Sequence, residues 1–156
     1  MAAFLNPTVN SYKRINAPRT TSGATWAPQS VTWTGNNRTH MVRVPEGDRF
    51  ELRLADGAAN PYLMGATVLA AGLDGIEQQR DPGPRLDINM YTEGHTVTGV
   101  KTLPLNLLDA LRALEASDLK NALGPLVPSY LKLKFGEWND YVRHLTSWER
   151  ETTLDC

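Results

Sequence analysis

The segment RFELRLAD, residues 49–56, alternates strictly between charged and apolar residues. Successive side chains of an extended chain point to opposite faces, so this alternation predicts a β-strand with one apolar face and one charged face. The apolar face holds Phe50, Leu52 and Leu54, and the charged face holds Arg49, Glu51 and Arg53.

The residues before this strand predict its partner. The segment RTHMVRV, residues 38–44, alternates in part, and PEGD, residues 45–48, has the composition of a turn. Together these segments predict a β-hairpin whose second strand is 49–55. Arg43 then lies on the strand next to Glu51.

A strand face with Arg, Glu and Arg in a row has two interpretations. Glu51 could be a structural partner of the neighbouring arginines, since a charge at a packed surface is tolerated when it is paired. It could instead be a ligand of a hard cation, with the arginines holding the anionic groups that the cation also contacts. The strand alone leaves both open.

Charge is distributed unevenly along the chain. Residues 1–45 contain no Asp or Glu but carry five Lys and Arg residues, although the whole chain of 156 residues has a net charge of −1. This basic region is either a solvated surface or a pocket for phosphate or carboxylate, which arginine binds as a planar fork. Its basic residues are Lys13, Arg14, Arg19, Arg38 and Arg43.

The fold class follows from the order of the elements. Residues 1–57 read as loop and short strands, including strands near 8–14 and 30–33, and residues 58–156 read as packed helices, so we predict one α+β domain. Asn60 and Pro61 predict the start of an apolar helix that reaches residue 76 and is buried on most sides. Further helices are predicted over 106–116, after Ser117, and from Ser129, where an apolar stripe runs from Leu131 to Leu145.

Other function classes have little support in the sequence. The net charge is close to zero and does not favour binding to nucleic acid. No apolar run is long enough to span a membrane, so we expect a cytoplasmic protein. The three histidines have no zinc-like spacing and are interpreted as packing or surface residues, and Cys156 is a poor nucleophile. No phosphate-binding glycine loop of a common type is present.

Three segments together resemble the glutamine synthetase family. NPTVNSYKRI at 6–15 is similar to that family's NPTxNSYKRL, and NNRT with VRV at 36–44 is similar to its NRS…IRIP. RFELRLADGAANPYLMGATVLAAGLDGI at 49–76 is similar to its strand and helix around ANPYL. The ending WERETTLDC resembles the type III-like and γ-glutamylmethylamide synthetase branch. The resemblance implies the C-terminal portion of the catalytic domain, with a short antiparallel strand region followed by helices.

The resemblance also implies residue roles. Glu51 is similar to a ligand of Mg²⁺ or Mn²⁺, and Arg14 is similar to the arginine that holds the glutamate carboxylate. Arg38 and Arg53 are similar to catalytic arginines that bind glutamate and the migrating phosphoryl group, and Arg38 and Arg43 are similar to arginines that contact ATP. The implied reaction joins glutamate to ammonia or a small amine through γ-glutamyl phosphate, at the expense of ATP.

Two departures from the family pattern bear on activity. Trp26 stands where the family has an acidic residue before Ala-Pro, and an apolar side chain accepts no proton, which makes a methylated or larger amine an alternative to ammonia. The PEGD turn also lacks a lysine that often reaches ATP in the family.

Length limits what the chain can do alone. Family chains are several times longer, so we expect a fragment that is inactive in isolation and whose full-length parent is a homo-oligomer. A non-catalytic anion-binding or interaction domain remains the alternative from a different class.

Overall fold

The computed structural model describes residues 1–17 and 27–153. Arg19, Trp26 and Cys156, which entered the sequence predictions, lie outside the described residues. Within these two ranges, three short strands form one sheet in the order β1-β2-β3, and the chain also contains seven α-helices and one 3-10 turn. The strands are β1 (Trp33–Thr34), β2 (Val42–Arg43) and β3 (Glu51–Leu52). The predicted α+β class is confirmed.

The hairpin predicted from the alternating segment forms. β2 and β3 are antiparallel, with Val42 opposite Leu52 and Arg43 opposite Glu51. β1 joins β2 in parallel, so the sheet is mixed rather than purely antiparallel. The register places Arg43 and Glu51 side by side on one face, as the sequence predicts.

The first two helices replace a predicted strand. The expectation of a strand near residues 8–14 is wrong, because α2 (Ser11–Asn16) begins there after α1 (Ala2–Leu5). Thr8 and Ser11 exchange hydrogen bonds, with the Ser11 amide donating to Thr8 Oγ1 at 3.1 Å and the Thr8 amide donating to Ser11 Oγ at 3.2 Å. This reciprocal arrangement at a spacing of three residues satisfies the amides at the start of a helix and favours α2 over a strand.

The main core lies between the N-terminal helices and the C-terminal helices. Phe4 of α1 packs against Tyr130, with ring centroids 4.4 Å apart, and the Tyr130 hydroxyl donates to the Ala3 carbonyl at 2.6 Å. Leu107 and Leu111 are fully buried in the same cluster. The helices that supply this region are α4 (Leu107–Glu115), α5 (Leu119–Leu123) and α6 (Leu126–Tyr141).

The helix after Asn60 forms where predicted, as α3 (Pro61–Glu77), and the Asn60 side chain accepts hydrogen bonds from the Tyr62 and Leu63 amides. The prediction that it is buried on most sides is wrong for this chain. Its one fully buried residue is Thr67. Four large apolar side chains are exposed instead, which we call the α3 apolar face: Tyr62, Leu69, Leu73 and Ile76.

The predicted last helix is split in two. It begins at Leu126 rather than near Ser129, ends at Tyr141, and is followed by α7 (Ser147–Thr153). Thr146 causes the new start, because its Oγ1 accepts from the Glu149 amide while Glu149 accepts from the Thr146 amide, a capping box. The predicted stripe therefore stops early: Val142 and Leu145 are exposed.

Residues 81–104 form the long loop that the sequence predicts, with one 3-10 turn at Gly94–Thr96. The loop lies along β1 and its flanks: the Val31 amide donates to the Lys101 carbonyl, and Ser30 forms an isolated bridge with Thr102. Across the ranges 1–17 and 27–153, no helix is both long and apolar enough to cross a membrane.

Candidate functional site

The centre of the site is an ion pair across the β2–β3 hairpin. Arg43 Nη1 lies 2.7 Å from both carboxylate oxygens of Glu51. The Arg43 side chain is only 12% exposed, whereas that of Glu51 is 40% exposed. The hydrogen bond from Arg43, followed by the charges of Arg43, Arg49 and Arg53, holds the pKa of the Glu51 carboxyl below its ordinary value despite some desolvation.

Arg43 is held from a second side by Asn36. The Asn36 Oδ1 accepts from Arg43 Nε at 2.9 Å and also from Arg43 Nη2. All three guanidinium nitrogens of Arg43 are therefore engaged by protein groups.

Arg53 and Arg38 extend the positive charge around this pair. Burial lowers the pKa of Arg53, and the charges of Arg38 and Arg43 act in the same direction, while Tyr91 and Glu51 oppose them. Arg38 is exposed in the turn between β1 and β2. We call Arg38, Arg43, Glu51 and Arg53 the charged cluster. Its excess of positive charge suits an anionic ligand.

Arg14, on α2, contacts the residues that follow β3. Its Nη2 donates to the Leu54 carbonyl at 2.6 Å and lies 3.4 Å from Asn6 Oδ1. The Arg14 Nε and the Asn6 Nδ2 are buried N–H groups with no acceptor among the described residues. Buried donors without an acceptor are uncommon and suit a site that an acceptor ligand completes.

A carboxylate fixes the chain next to Arg14. Burial alone raises the pKa of Asp56, but hydrogen bonds from Ser11 and the Ala58 amide, with the charge of Arg14, hold it below its usual value. The Asp56 amide also donates to the Leu5 carbonyl at 2.8 Å. The hydrogen bond of Arg14 to Leu54 and its charge interaction with Asp56 hold it against the residues that directly follow Arg53.

Polar contacts with the loop 81–104 support the sheet behind the charged cluster. His40 is fully buried, with Nδ1 at 3.0 Å from Thr32 Oγ1 and Nε2 at 2.9 Å from the Ile88 carbonyl oxygen. Thr34 Oγ1 donates to Asp87 at 2.7 Å. The interpretation of His40 as a packing residue agrees with these contacts.

Two neighbours of the charged cluster are absent from the predicted set. Asn36 holds Arg43, and Tyr91 interacts with Arg53 while its hydroxyl donates to the Ala27 carbonyl at 3.2 Å. Asn36 lies in an asparagine-rich turn and Tyr91 in a long loop, so neither position carries a periodic signal. Only the fold brings them to the site.

A divalent cation fits this chain only in part. Glu51 offers carboxylate oxygens, which are the ligands that Mg²⁺ prefers. Within residues 1–17 and 27–153, however, no group of three or more His, Cys, Asp or Glu residues could hold a metal ion. The described residues do not form a complete metal site.

Sequence comparison assigns the chain to a family. Residues 1–153 match the family described as glutamine synthetase, catalytic domain. The chain is 67% identical over 157 residues to a glutamine synthetase of Rhizobium leguminosarum bv. phaseoli, with 99% of this chain and 36% of the relative covered. It is 46% identical over 159 residues to a glutamate–methylamine ligase of Methyloversatilis universalis, with 99% and 36% covered.

Solved structures agree with this assignment. The structure of a GmaS–ADP complex superposes with a TM-score of 0.92 at 63% identity and covers 99% of this chain and 36% of its own. The Plasmodium falciparum glutamine synthetase, at 22% identity and a TM-score of 0.71, covers 97% of this chain and 38% of its own and shares the fold. The chain thus spans about a third of the length of the curated relatives it matches. The resemblance found in the three sequence segments is confirmed, and the chain belongs to the glutamine synthetase catalytic-domain family.

Proposed function

We propose that this chain is the C-terminal part of the catalytic domain of an ATP-dependent glutamate–amine ligase. The proposed reaction forms glutamine from glutamate, ATP and ammonia through γ-glutamyl phosphate. The observation that carries this proposal is the charged cluster, in which Arg43 pairs with Glu51 across the hairpin of this family's fold while Arg53 and Arg38 add positive charge beside this pair.

The chemistry explains why arginines would gather there. Glutamate and ATP are both anionic, and bringing them together requires positive groups that position them and neutralise the transferred phosphoryl group. Arg14 is proposed to bind the glutamate carboxylate, and Arg38 and Arg53 to bind glutamate and the migrating phosphoryl group. Arg43, with Arg38, is proposed to bind the phosphates of ATP.

Glu51 is proposed as one ligand of Mg²⁺ or Mn²⁺. The remaining ligands would have to come from outside the described residues, so the site is incomplete in this part of the chain. We therefore expect activity only in a longer protein, proposed to be a cytoplasmic homo-oligomer, and no glutamine formation by the 156-residue chain alone.

A methylated amine is a second candidate substrate. Trp26 replaces the acidic residue expected before Ala-Pro, and an apolar side chain cannot take a proton from an ammonium ion. The similarity to a glutamate–methylamine ligase and to GmaS supports the same alternative. The third candidate is a non-catalytic domain, in which the arginines would bind an anion without catalysing a reaction.

A chimera separates the three candidates. Residues 1–153 of this chain would replace the matching segment of the Rhizobium leguminosarum glutamine synthetase. Phosphate release would be followed with glutamate, ATP and Mg²⁺, and with either ammonium or methylamine. We expect release that requires glutamate and an amine, and the ratio of kcat/KM for the two amines identifies the substrate.

Two variants test the role of the charged cluster in the chimera. Glu51→Gln should lower kcat/KM on the order of 100-fold, as expected for a metal ligand, whereas the matched control Glu46→Gln in the exposed turn should change it little. A chimera that folds and assembles but releases no phosphate would support the non-catalytic domain. Glutamate-dependent phosphate release by the isolated chain would contradict the expectation that its site is incomplete.

A further inference from the structure

The guanidinium of Arg43 has two edges that can bind an anion with two parallel hydrogen bonds. One edge consists of Nε and Nη2, and the other consists of Nη1 and Nη2. Asn36 Oδ1 covers the first edge, since it accepts from both Nε and Nη2. Glu51 accepts only from Nη1.

This arrangement decides which edge a ligand meets. An incoming anion that displaces Glu51 finds the Nη1–Nη2 edge, whereas the Nε–Nη2 edge is already taken by a neutral amide oxygen. Because the amide oxygen is neutral, the charge of Arg43 is uncompensated once Glu51 has been displaced, so the arginine then attracts the incoming anion. A carboxylate at position 36 would instead neutralise it.

The neighbouring asparagine has a different task. Asn37 Nδ2 donates to the Ile88 carbonyl at 2.8 Å, and its Oδ1 accepts from the Thr39 amide at 2.9 Å. Asn37 thus fastens the turn to the loop 81–104, whereas the contacts of Asn36 are to Arg43. Asn36 is exposed, and no core packing explains its side-chain contacts.

We propose that Asn36 is a positioning residue that fixes the guanidinium of Arg43 and leaves its Nη1–Nη2 edge for the phosphate of a nucleotide. The positioning of Arg43 stands on the geometry of this chain, and the assignment of the anion to a nucleotide rests on the proposed function.

The first test uses the 156-residue chain and reports on Arg43 directly. Solvent exchange of the Arg43 Nε–H would be measured by nuclear magnetic resonance, with the exposed Arg112 as an internal reference. We expect the Arg43 Nε–H to exchange at least about tenfold more slowly than that of Arg112, because it is hydrogen-bonded and nearly buried. Asn36→Ala should remove this protection and Asn36→Asp should retain it, since aspartate keeps the acceptor.

Asn37→Ala is the matched control. It should lower the stability of the chain but leave the Arg43 Nε–H protected at a temperature where the chain is folded. The proposal is overturned if Arg43 exchanges as fast as Arg112 in the unaltered chain, or if Asn36→Ala leaves its protection unchanged. Circular dichroism of each variant verifies that it is folded.

The second test uses the chimera and addresses the nucleotide. Asn36→Ala should raise the KM for ATP about fivefold, because the Arg43 side chain would then have to be ordered when the nucleotide binds, with the KM for glutamate within about twofold. Asn36→Asp should raise the KM for ATP further, although it retains the Nε–H protection. Equal changes in both KM values would exclude the nucleotide assignment. If the unaltered chimera is inactive, the proposed function fails, while the exchange experiment still decides whether Asn36 positions Arg43.

Discussion

The strand-and-loop part and the helical part of this chain are held together by different forces. Around the sheet, buried polar side chains bind one another or the backbone across long stretches of sequence, as His40 does with Thr32 and Ile88. In the helical part, α4 and α6 pack through leucines such as Leu111, which is fully buried. One region relies on directional hydrogen bonds and the other on apolar burial.

The difference corresponds to what each part has to position. A hydrogen bond weakens steeply when its geometry changes, so a network of such bonds fixes the orientation of the residues it contains. Apolar burial supplies more stabilisation but little orientation. The charged cluster lies on the part where orientation is fixed, and the helices provide a stable base for it.

The α3 apolar face is an exception within the helical part, because its apolar side chains are not buried. It is apolar, like the buried surface of α4, yet Leu73 is 57% exposed and Ile76 is 75% exposed. Another protein surface is expected to cover such residues, because otherwise a continuous apolar stripe is left in contact with water.

The largest expected effect is in the helical core. Leu111→Ala should lower the free energy of unfolding by about 3 kcal/mol, because it removes a fully buried side chain and leaves a cavity. Urea denaturation of the 156-residue chain would measure it. The matched control, Leu133→Ala on the exposed side of α6, should stay within about 0.5 kcal/mol of the parent. Equal losses for the two variants would contradict the location of the core.

A smaller loss is expected from the polar network. His40→Ala should lower the free energy of unfolding by about 2 kcal/mol, because the Ile88 carbonyl and the Thr32 hydroxyl lose their partner inside the protein. The exposed His144 provides the control variant His144→Ala, whose stability should match that of the parent. If His40→Ala were as stable as the parent, the sheet would not depend on this contact.

The α3 apolar face should affect association more than stability. We expect the isolated chain to self-associate through this face. The double variant Leu73→Ser, Ile76→Ser should therefore be more monomeric than the parent. Gel filtration with light scattering across a tenfold dilution would measure the molar mass of both. Unfolding free energy of the monomer should change by no more than about 0.5 kcal/mol, since both side chains are exposed. A monomeric parent at every concentration would mean that this face does not drive self-association.

The smallest effect concerns pH. The pKa of Glu51 is lowered in the folded chain, so its ion pair stabilises the fold above the unfolded pKa of about 4.3 and loses this contribution as the pH falls through the folded pKa. Glu51→Gln should therefore flatten the acid side of the stability curve slightly, because the carboxylate is exposed and well screened. Stability profiles of parent and variant that are parallel from pH 3 to pH 7 would show that the pair contributes nothing.

Local sequence patterns were sufficient for several elements. The alternation of residues 49–56 predicted both the hairpin and the face shared by Arg43 and Glu51, because side-chain direction in a strand has a period of two. Asn60 and Pro61 predicted the start of α3, because the cap is a local interaction. The family also followed from sequence, through three ordered segments that the comparison confirmed. The roles proposed for Arg14, Arg38, Arg43, Glu51 and Arg53 remain predictions.

Tertiary structure decided which partner each of these groups meets. The sequence places three arginines near Glu51, but only the cross-strand register and the Asn36 contact select Arg43 as its hydrogen-bonded partner. The Leu54 carbonyl reaches Arg14 from 40 residues away, and the Ile88 carbonyl reaches His40 from 48 residues away. The sequence of α3 alone could not predict its burial either. An apolar helix favours burial, but whether another part of the protein covers it depends on the tertiary structure. Periodicity and caps depend on residues a few positions apart, whereas pairing and burial depend on chain segments that only folding brings together.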